Sequence, residues 1–414
     1  MRTLFVRFLA VVVALTMTAP GRAQSQGSVT SKAESAARAQ RGKNAREARP
    51  EITTLMYLVN RPESIASFRE HAGQISIIAP QTFTMDAQGF VGGEVPPEVL
   101  AIAQEKRVAV MPLVTNRGFN QPLMHTVLDS AEGRERAIRY LEYYALRDGY
   151  LGFQFDYENI HYGYRDKFTV FFREAAREFH RHGLLLSAAV VGKINDERDN
   201  QSPGGYDNWS GVYDYASLGK VADFLSIMAY AEHGRFSDPG PIASYGWVQK
   251  IAQFTVSELP AKKISLGVPF YGTRWDAAAA KAEGEQNPAA LQGNAPATRW
   301  TARSMRYADT AQLLAAQAAS WDEEARSPHL SLDDNGKRSE VWFENAHSLR
   351  TKLALSQEMG FPGISAWVLG QEDPAFWETV AAWRVRHPRP APATGPLDKR
   401  AKRAARLMGT ARGK

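Results

Sequence analysis

The chain has 414 residues, 44% of them hydrophobic and 10% aromatic, enough to bury one large core, and it contains no cysteine. Disulfides and a lipidated cysteine are thereby excluded, and a zinc site would have to be built from histidines and carboxylates alone. The net charge of +6 hides an asymmetry: residues 1–50 carry nine Lys/Arg against two acids and residues 386–414 nine against one. The body between them is therefore acidic, which argues against a nucleic-acid-binding face on it.

In chain order, Met1 to Ala23 reads as a secretory signal peptide: Arg2 and Arg7, the apolar run Phe8–Leu15, then small residues ending Gly21-Arg22-Ala23. The apolar run is too short to span a bilayer, so no stable membrane span is expected after cleavage, and the mature protein is expected to be secreted or periplasmic. Residues 24–50 are polar, alanine-rich and basic, which predicts a disordered linker before a domain covering 51–385.

Strand-like runs then recur at Ile52–Val59, Gln74–Pro80, Arg107–Val114, Gly149–Ile160, Leu184–Val191, Asp223–Tyr230, Lys263–Phe270 and Gly363–Leu369. Helical patterns such as Phe168–His182 and Trp247–Leu259 alternate with them. Eight such units predict an α/β fold, a closed (β/α)8 TIM barrel, and no glycine-rich phosphate fingerprint follows the first strand to favour an open doubly wound sheet. Residues 275–343 are too long for a connection and predict a small α+β insertion, with a helix over Asp309–Ala325 and a strand at Val341–Phe343. Asp333-Asp334-Asn335-Gly336 lacks the spaced glutamate of a calcium loop and reads as a turn. His161, His233 and His347 make no metal-spaced pair, so neither a metal nor a cofactor is expected. Residues 386–414 are Pro/Ala-rich, then basic, and predict a disordered tail that offers a tether to anionic cell-envelope polymers.

The chemistry concentrates in the fourth strand. Alternation along Gly152-Phe153-Gln154-Phe155-Asp156-Tyr157-Glu158 sets Gln154, Asp156 and Glu158 on one face and the three aromatic residues on the other. The polar face climbs toward the strand's C-terminal end, where barrel enzymes keep their reacting groups. This run resembles the Asp-Gly-x-Asp-x-Asp-x-Glu signature of family 18 glycoside hydrolases at Gly152, Asp156 and Glu158, while Leu151 and Gln154 stand where the first two acids would be. Three further runs resemble that family in the same order: Met228-Ala229-Tyr230, Leu266–Tyr271 and Gly363–Trp367. Gly240-Pro241-Ile242, Trp247-Val248, Val341–Glu344 and Leu369-Gly370 resemble its bacterial branch of spore-germination and cortex-lytic N-acetylglucosaminidases, although no LysM repeat is present.

The resemblance implies a glycosidase acting on glycans that contain N-acetylglucosamine, with the substrate's own acetamido group as the nucleophile. Glu158 would be the proton donor, Asp156 would orient the acetamido group, and Tyr230 would bond its carbonyl. Trp367 would form the floor under the sugar, Met228 and Tyr271 read either as subsite lining or as packing, and Gln154 with the strand-end residues Tyr57 and Asn116 are further candidate substrate contacts. On the residues alone, Gln154 is expected to donate its amide to Asp156. Ala231, which stands where the family commonly has an aspartate, leaves open whether Glu232 replaces that acid. Trp275, Tyr307 and Trp342 read either as groove aromatics or as anchors of the insertion. The competing class is a catalytically silent glycan-binding protein on the same fold.

Overall fold

The computed structural model describes residues 54–198, 204–235, 237–277 and 300–386. The expected leader, linker and basic tail from residue 387 onward lie outside the described residues. The strands are β1 (Thr54–Leu58), β2 (Ile77–Met85), β3 (Val91–Gly93), β4 (Ala109–Val110), β5 (Leu113–Asn116), β6 (Gly152–Asp156), β7 (Leu185–Val191), β8 (Phe224–Met228), β9 (Ile264–Pro269), β10 (Gly272–Ala277), β11 (Trp300–Met305), β12 (Ser320–Asp322), β13 (Ser327–Asp334), β14 (Lys337–Trp342) and β15 (Gly363–Trp367).

Parallel pairing runs β1-β15-β9-β8-β7-β6-β5-β2, and β2 pairs back to β1, so the sheet closes into the expected eight-stranded barrel. The third predicted strand is split into β4 and β5, both paired to β2. The second runs past Pro80 to Met85, because its extension finds partners in β5 and in the antiparallel β3.

Alternation along each strand divides two environments. Residues such as Phe153, Phe155, Leu186, Ala188 and Ile227 face outward into the large core under the helices. Leu55, Ile77, Ala79, Leu113, Leu185 and Phe224 face the barrel interior. The helix Arg165–Arg181 shows why the outer layer forms: Phe168, Phe171, Phe172, Ala175 and Phe179 recur at three- and four-residue spacing and are all buried. The helix before β6, Ala131–Asp148, starts where the Ser130 side chain accepts from Gly133 N and stops at Gly149 with φ 73°. Gly152, with φ 155°, then opens β6 where a Cβ would lie 1.8 Å from the carbonyl oxygen of Leu185 on β7.

Between β9 and β15 lies an antiparallel sheet of order β11-β10-β14-β13-β12. The helix expected over Asp309–Ala325 is confined to Tyr307–Leu314, and Ser320–Asp322 instead forms β12 against β13. The apolar stripe explains the correction: Leu313 and Leu314 pack on Met305, Leu330, Val341 and Phe343. The alanine-rich stretch after them has little area to bury, so the ladder wins. Asn335 (φ 54°) and Gly336 (φ 84°) make the two-residue turn between β13 and β14. Fully buried Trp275 donates from Nε1 to Gly234 O at 3.2 Å, which makes it an anchor of the insertion. Among the described residues no helix is long and apolar enough to cross a membrane.

Candidate active site

The barrel interior is layered. At the level of Gln154 it is polar: Gln154 Nε2 donates to Ser187 Oγ at 2.9 Å and to Ser226 Oγ at 3.0 Å. Ser226 Oγ lies 2.8 Å from Ser365 Oγ, which lies 2.5 Å from Ser265 Oγ. Five strands thus contribute to one hydrogen-bonded layer with no access to solvent. This corrects the expected partner of Gln154. Its amide does not bond Asp156 but the two serines, and the side chain is fully buried beneath the carboxyl pair.

One step up β6, Asp156 is 3% exposed and accepts from Gln81 Nε2 at 3.4 Å. Glu158 follows the strand and is partly exposed. The two carboxyl groups are close enough to share a hydrogen bond. Burial pushes the Asp156 carboxyl up to about 6, against smaller lowering from its bonds to Gln81 and Glu158. Burial, then the charge of Asp156 and the bond to it, hold the Glu158 carboxyl well above the usual carboxylate range. One proton shared by two buried carboxyls, the outer one reachable, is an arrangement suited to general acid catalysis near neutral pH.

The backbone carrying Glu158 is clamped on three sides. Asn116 at the end of β5 donates from Nδ2 to Glu158 O at 2.9 Å and accepts from Glu158 N at 3.0 Å. Tyr213 Oη donates to Tyr157 O at 2.8 Å. Asn159, whose φ of 54° turns the chain away from the strand, donates from Nδ2 to Phe119 O at 2.9 Å. Asn116 is fully buried and holds the Glu158 backbone, at the end of β5 where a sugar contact is expected.

Aromatic groups complete the rim. Tyr57 and Trp367 approach with ring centroids 5.4 Å apart, and Tyr230 and Tyr271 meet edge to face at 6.4 Å. Trp367, Tyr230, Tyr271 and Met228 keep part of their surface open, whereas Tyr57 is 2% exposed and its hydroxyl makes no well-formed hydrogen bond. Burial raises the Tyr57, Tyr213 and Tyr230 hydroxyls, and each also feels the charge of Asp156. Glu232 points elsewhere: its carboxylate accepts from Ser244 N at 2.6 Å and Ser244 Oγ at 2.9 Å, at the entry to helix Tyr245–Glu258. Trp342 stacks on His329 at 4.6 Å within the insertion.

Sequence reasoning missed Gln81, Tyr213 and the four serines. Nothing in their local sequence distinguishes them, because each reaches the site from a different strand or loop.

With this geometry in place, comparison with known proteins decides the family. Residues 78–372 match Glycosyl hydrolases family 18. The chain belongs to that family. It is 26% identical over 342 residues to the uncharacterized glycosylase YvbX of Bacillus subtilis, covering 81% of this chain and 92% of that protein. Similarity to the cortical fragment-lytic enzyme of Bacillus subtilis is 26% over 313 residues, covering 75% of this chain and 68% of that protein. Among solved structures, a chitinase from Chromobacterium violaceum superposes with a TM-score of 0.69 at 26% identity, covering 80% of this chain and 98% of that one. The spore cortex-lytic enzyme SleL of Bacillus cereus shares the fold, with a TM-score of 0.68 at 24% identity over 80% of this chain and 74% of that one. The family membership, the bacterial branch and the barrel read from the sequence agree with these findings.

Proposed function

We propose that this family 18 glycosidase hydrolyses β-linked glycans containing N-acetylglucosamine, of the peptidoglycan or chitin type, with retention at the anomeric carbon. The observation that carries this reading is the carboxyl pair: Glu158, whose carboxyl burial and then Asp156 hold well above the usual carboxylate range, follows Asp156 at the C-terminal end of β6 and is partly exposed. Protonation of the leaving oxygen by Glu158 would accompany attack by the substrate's 2-acetamido oxygen on the anomeric carbon. Asp156, ionised at that moment, would stabilise the positive charge that develops on the acetamido nitrogen. Tyr230 would bond the acetamido carbonyl, and Trp367 would meet the apolar face of the ring. Water then opens the resulting oxazolinium ring, and Glu158, now a carboxylate, takes the proton.

The test is hydrolysis of a panel of peptidoglycan, soluble chitin oligomers and N-glycans, with the first-formed anomer read by proton NMR. Initial release of the β-anomer supports the reading. Initial release of the α-anomer, or no cleavage of any member, overturns it. Export is part of the same proposal, motivated by the apolar N-terminal run and the polymeric substrate class. N-terminal sequencing of the protein from culture fluid or periplasm, expected to begin after Ala23, checks it. Tethering by the basic tail to anionic envelope polymers is checked by salt-dependent cosedimentation of the full chain and of a truncation lacking 387–414.

A further inference from the structure

We infer that Gln81 is a positioning residue for Asp156, holding its carboxylate upright beside Glu158 from the wall of the barrel rather than from below. Alternation along β2 carries the first part of the case. Ile77 and Ala79 face the barrel interior, and Gln81 continues that inward set. Past it, Phe83 and Met85 lie in the outer core under the helices. The switch of face coincides with the register slip between Gln81 and Phe83 in the pairing of β2 with β5. A bulge of this kind re-aims side chains next to a site. Here it makes Gln81 the last inward residue of β2, at the height of Asp156, and its Nε2 reaches Asp156 Oδ2 at 3.4 Å.

The second part is what lies beneath Asp156. The Gln154 amide nitrogen is committed to Ser187 and Ser226, and its Oε1 is buried with no hydrogen-bond partner. An amide can neither accept charge from Asp156 nor share a proton with it, so the layer below offers Asp156 no second carboxylate to turn toward. The titratable group acting on Asp156 is Glu158, two residues on, while Tyr57 from β1, Tyr213, and Tyr230 after β8 feel the Asp156 charge in turn. Among the described residues no cationic side chain pairs with either carboxyl. The Gln81 amide is therefore a neutral donor that favours the ionised, upright Asp156 in a site without a counter-ion.

The kinetic arm of the test rests on the hydrolytic reading above; the spectroscopic arm does not. Full-length protein carrying carboxyl-13C aspartate is titrated by NMR, with the Asp156 signal assigned from its loss in Asp156→Asn. Gln81→Leu removes the donor and is expected to raise the Asp156 midpoint by about one pH unit. Gln81→Glu keeps the shape but adds a third carboxylate, and is expected to raise it further. A packing role predicts the reverse order, with the isosteric Glu variant close to wild type and the Leu variant the more disturbed. In the kinetic arm, the acid limb of kcat on a soluble N-acetylglucosamine oligomer should move up in pH in the same order, with KM changing little. An unmoved Asp156 midpoint in a folded Gln81→Leu protein, or a Gln81→Glu protein that titrates like wild type, overturns the inference. A wild type that cleaves no glycan removes the hydrolytic reading and leaves the NMR order to decide the role of Gln81.

Discussion

The two faces of β6 lie one residue apart and are built for opposite purposes. Outward, Phe153, Phe155 and Tyr157 are buried among Phe171, Phe172 and Phe83, with ring centroids 4.9 to 5.6 Å apart for Phe155 against Tyr157, Phe171 and Phe172. Inward, Gln154 and Asp156 are as deeply buried, yet their surroundings are hydroxyls and a second carboxyl. Burial is the same on both sides, and its energetic sign is not. Removing an aromatic ring from water stabilises the fold by about 25 cal/mol per Å², while burying a carboxylate without a counter-ion opposes folding. The outer face supplies stability against which the inner face can hold a charge where solvent would otherwise dissipate its effect.

The strongest way to separate the faces is Glu158→Gln, which keeps shape and removes the transferable proton. Turnover is expected to fall by roughly 100- to 10,000-fold with no loss of melting temperature. A variant with wild-type kcat would take Glu158 out of its role. The opposite substitution, Phe171→Ala, empties part of the outer core and is expected to cost about 3–5 kcal/mol of stability. Denaturant titration measures the loss, and kcat per folded molecule should stay near wild type.

Asp156 sharpens the comparison through pH. Its folded pKa is about 6 against an ordinary 3.8, so the folded state binds the proton more tightly than the unfolded chain. Stability is then greatest below about pH 4 as far as this group is concerned, and declines as pH rises toward 6. Glu158, also raised, extends the decline to higher pH. Asp156→Asn should abolish turnover and raise the melting temperature at pH 7, with a smaller fall between pH 4 and pH 6. A variant less stable than wild type at pH 7 would show that the carboxylate is better compensated than its surroundings indicate.

Asn116 tests whether the clamp matters as much as the acid it holds. Asn116→Ala removes both hydrogen bonds to the Glu158 backbone and should lower kcat by about 10- to 100-fold with a lesser effect on KM, since a small misplacement of the acid is costly. Unchanged kcat would assign the loop's position to Tyr213 and Asn159 instead.

The sequence carried the barrel because its strands alternate and its outer faces are rich in Phe, Leu, Ile and Val, a period that survives without knowledge of partners. Asp156 and Glu158 were legible for the same reason, being consecutive inward positions at a strand end. Gln81 was not, since a register slip at the following residue reverses which face each side chain takes, and the slip is fixed by pairing with β5. Ser187, Ser226, Ser265 and Ser365 sit singly in four strands, and only the side-by-side pairing of those strands joins them. Asn116 was legible as a strand-end residue, but its position at the end of β5 does not reveal that its amide meets the Glu158 backbone.

The smallest expected effect belongs to Gln154, and it discriminates between two ways in which a side chain beneath a site can act. If the amide tuned Asp156 directly, Gln154→Leu would shift the acid limb of turnover as Gln81→Leu does. The geometry indicates otherwise, because Nε2 is held by two serines and Oε1 has no partner. Leucine forfeits both hydrogen bonds, but it also removes a buried acceptor that has none, and Ser226 keeps its contact with Ser365. These effects oppose each other, so a net loss of about 1 kcal/mol is expected, measured by denaturant unfolding. The pH profile on a soluble N-acetylglucosamine oligomer should retain the wild-type acid limb. A shift as large as that expected for Gln81→Leu would mean that the serine layer and Asp156 titrate as one unit, and the separation between the polar layer and the rim would have to be abandoned.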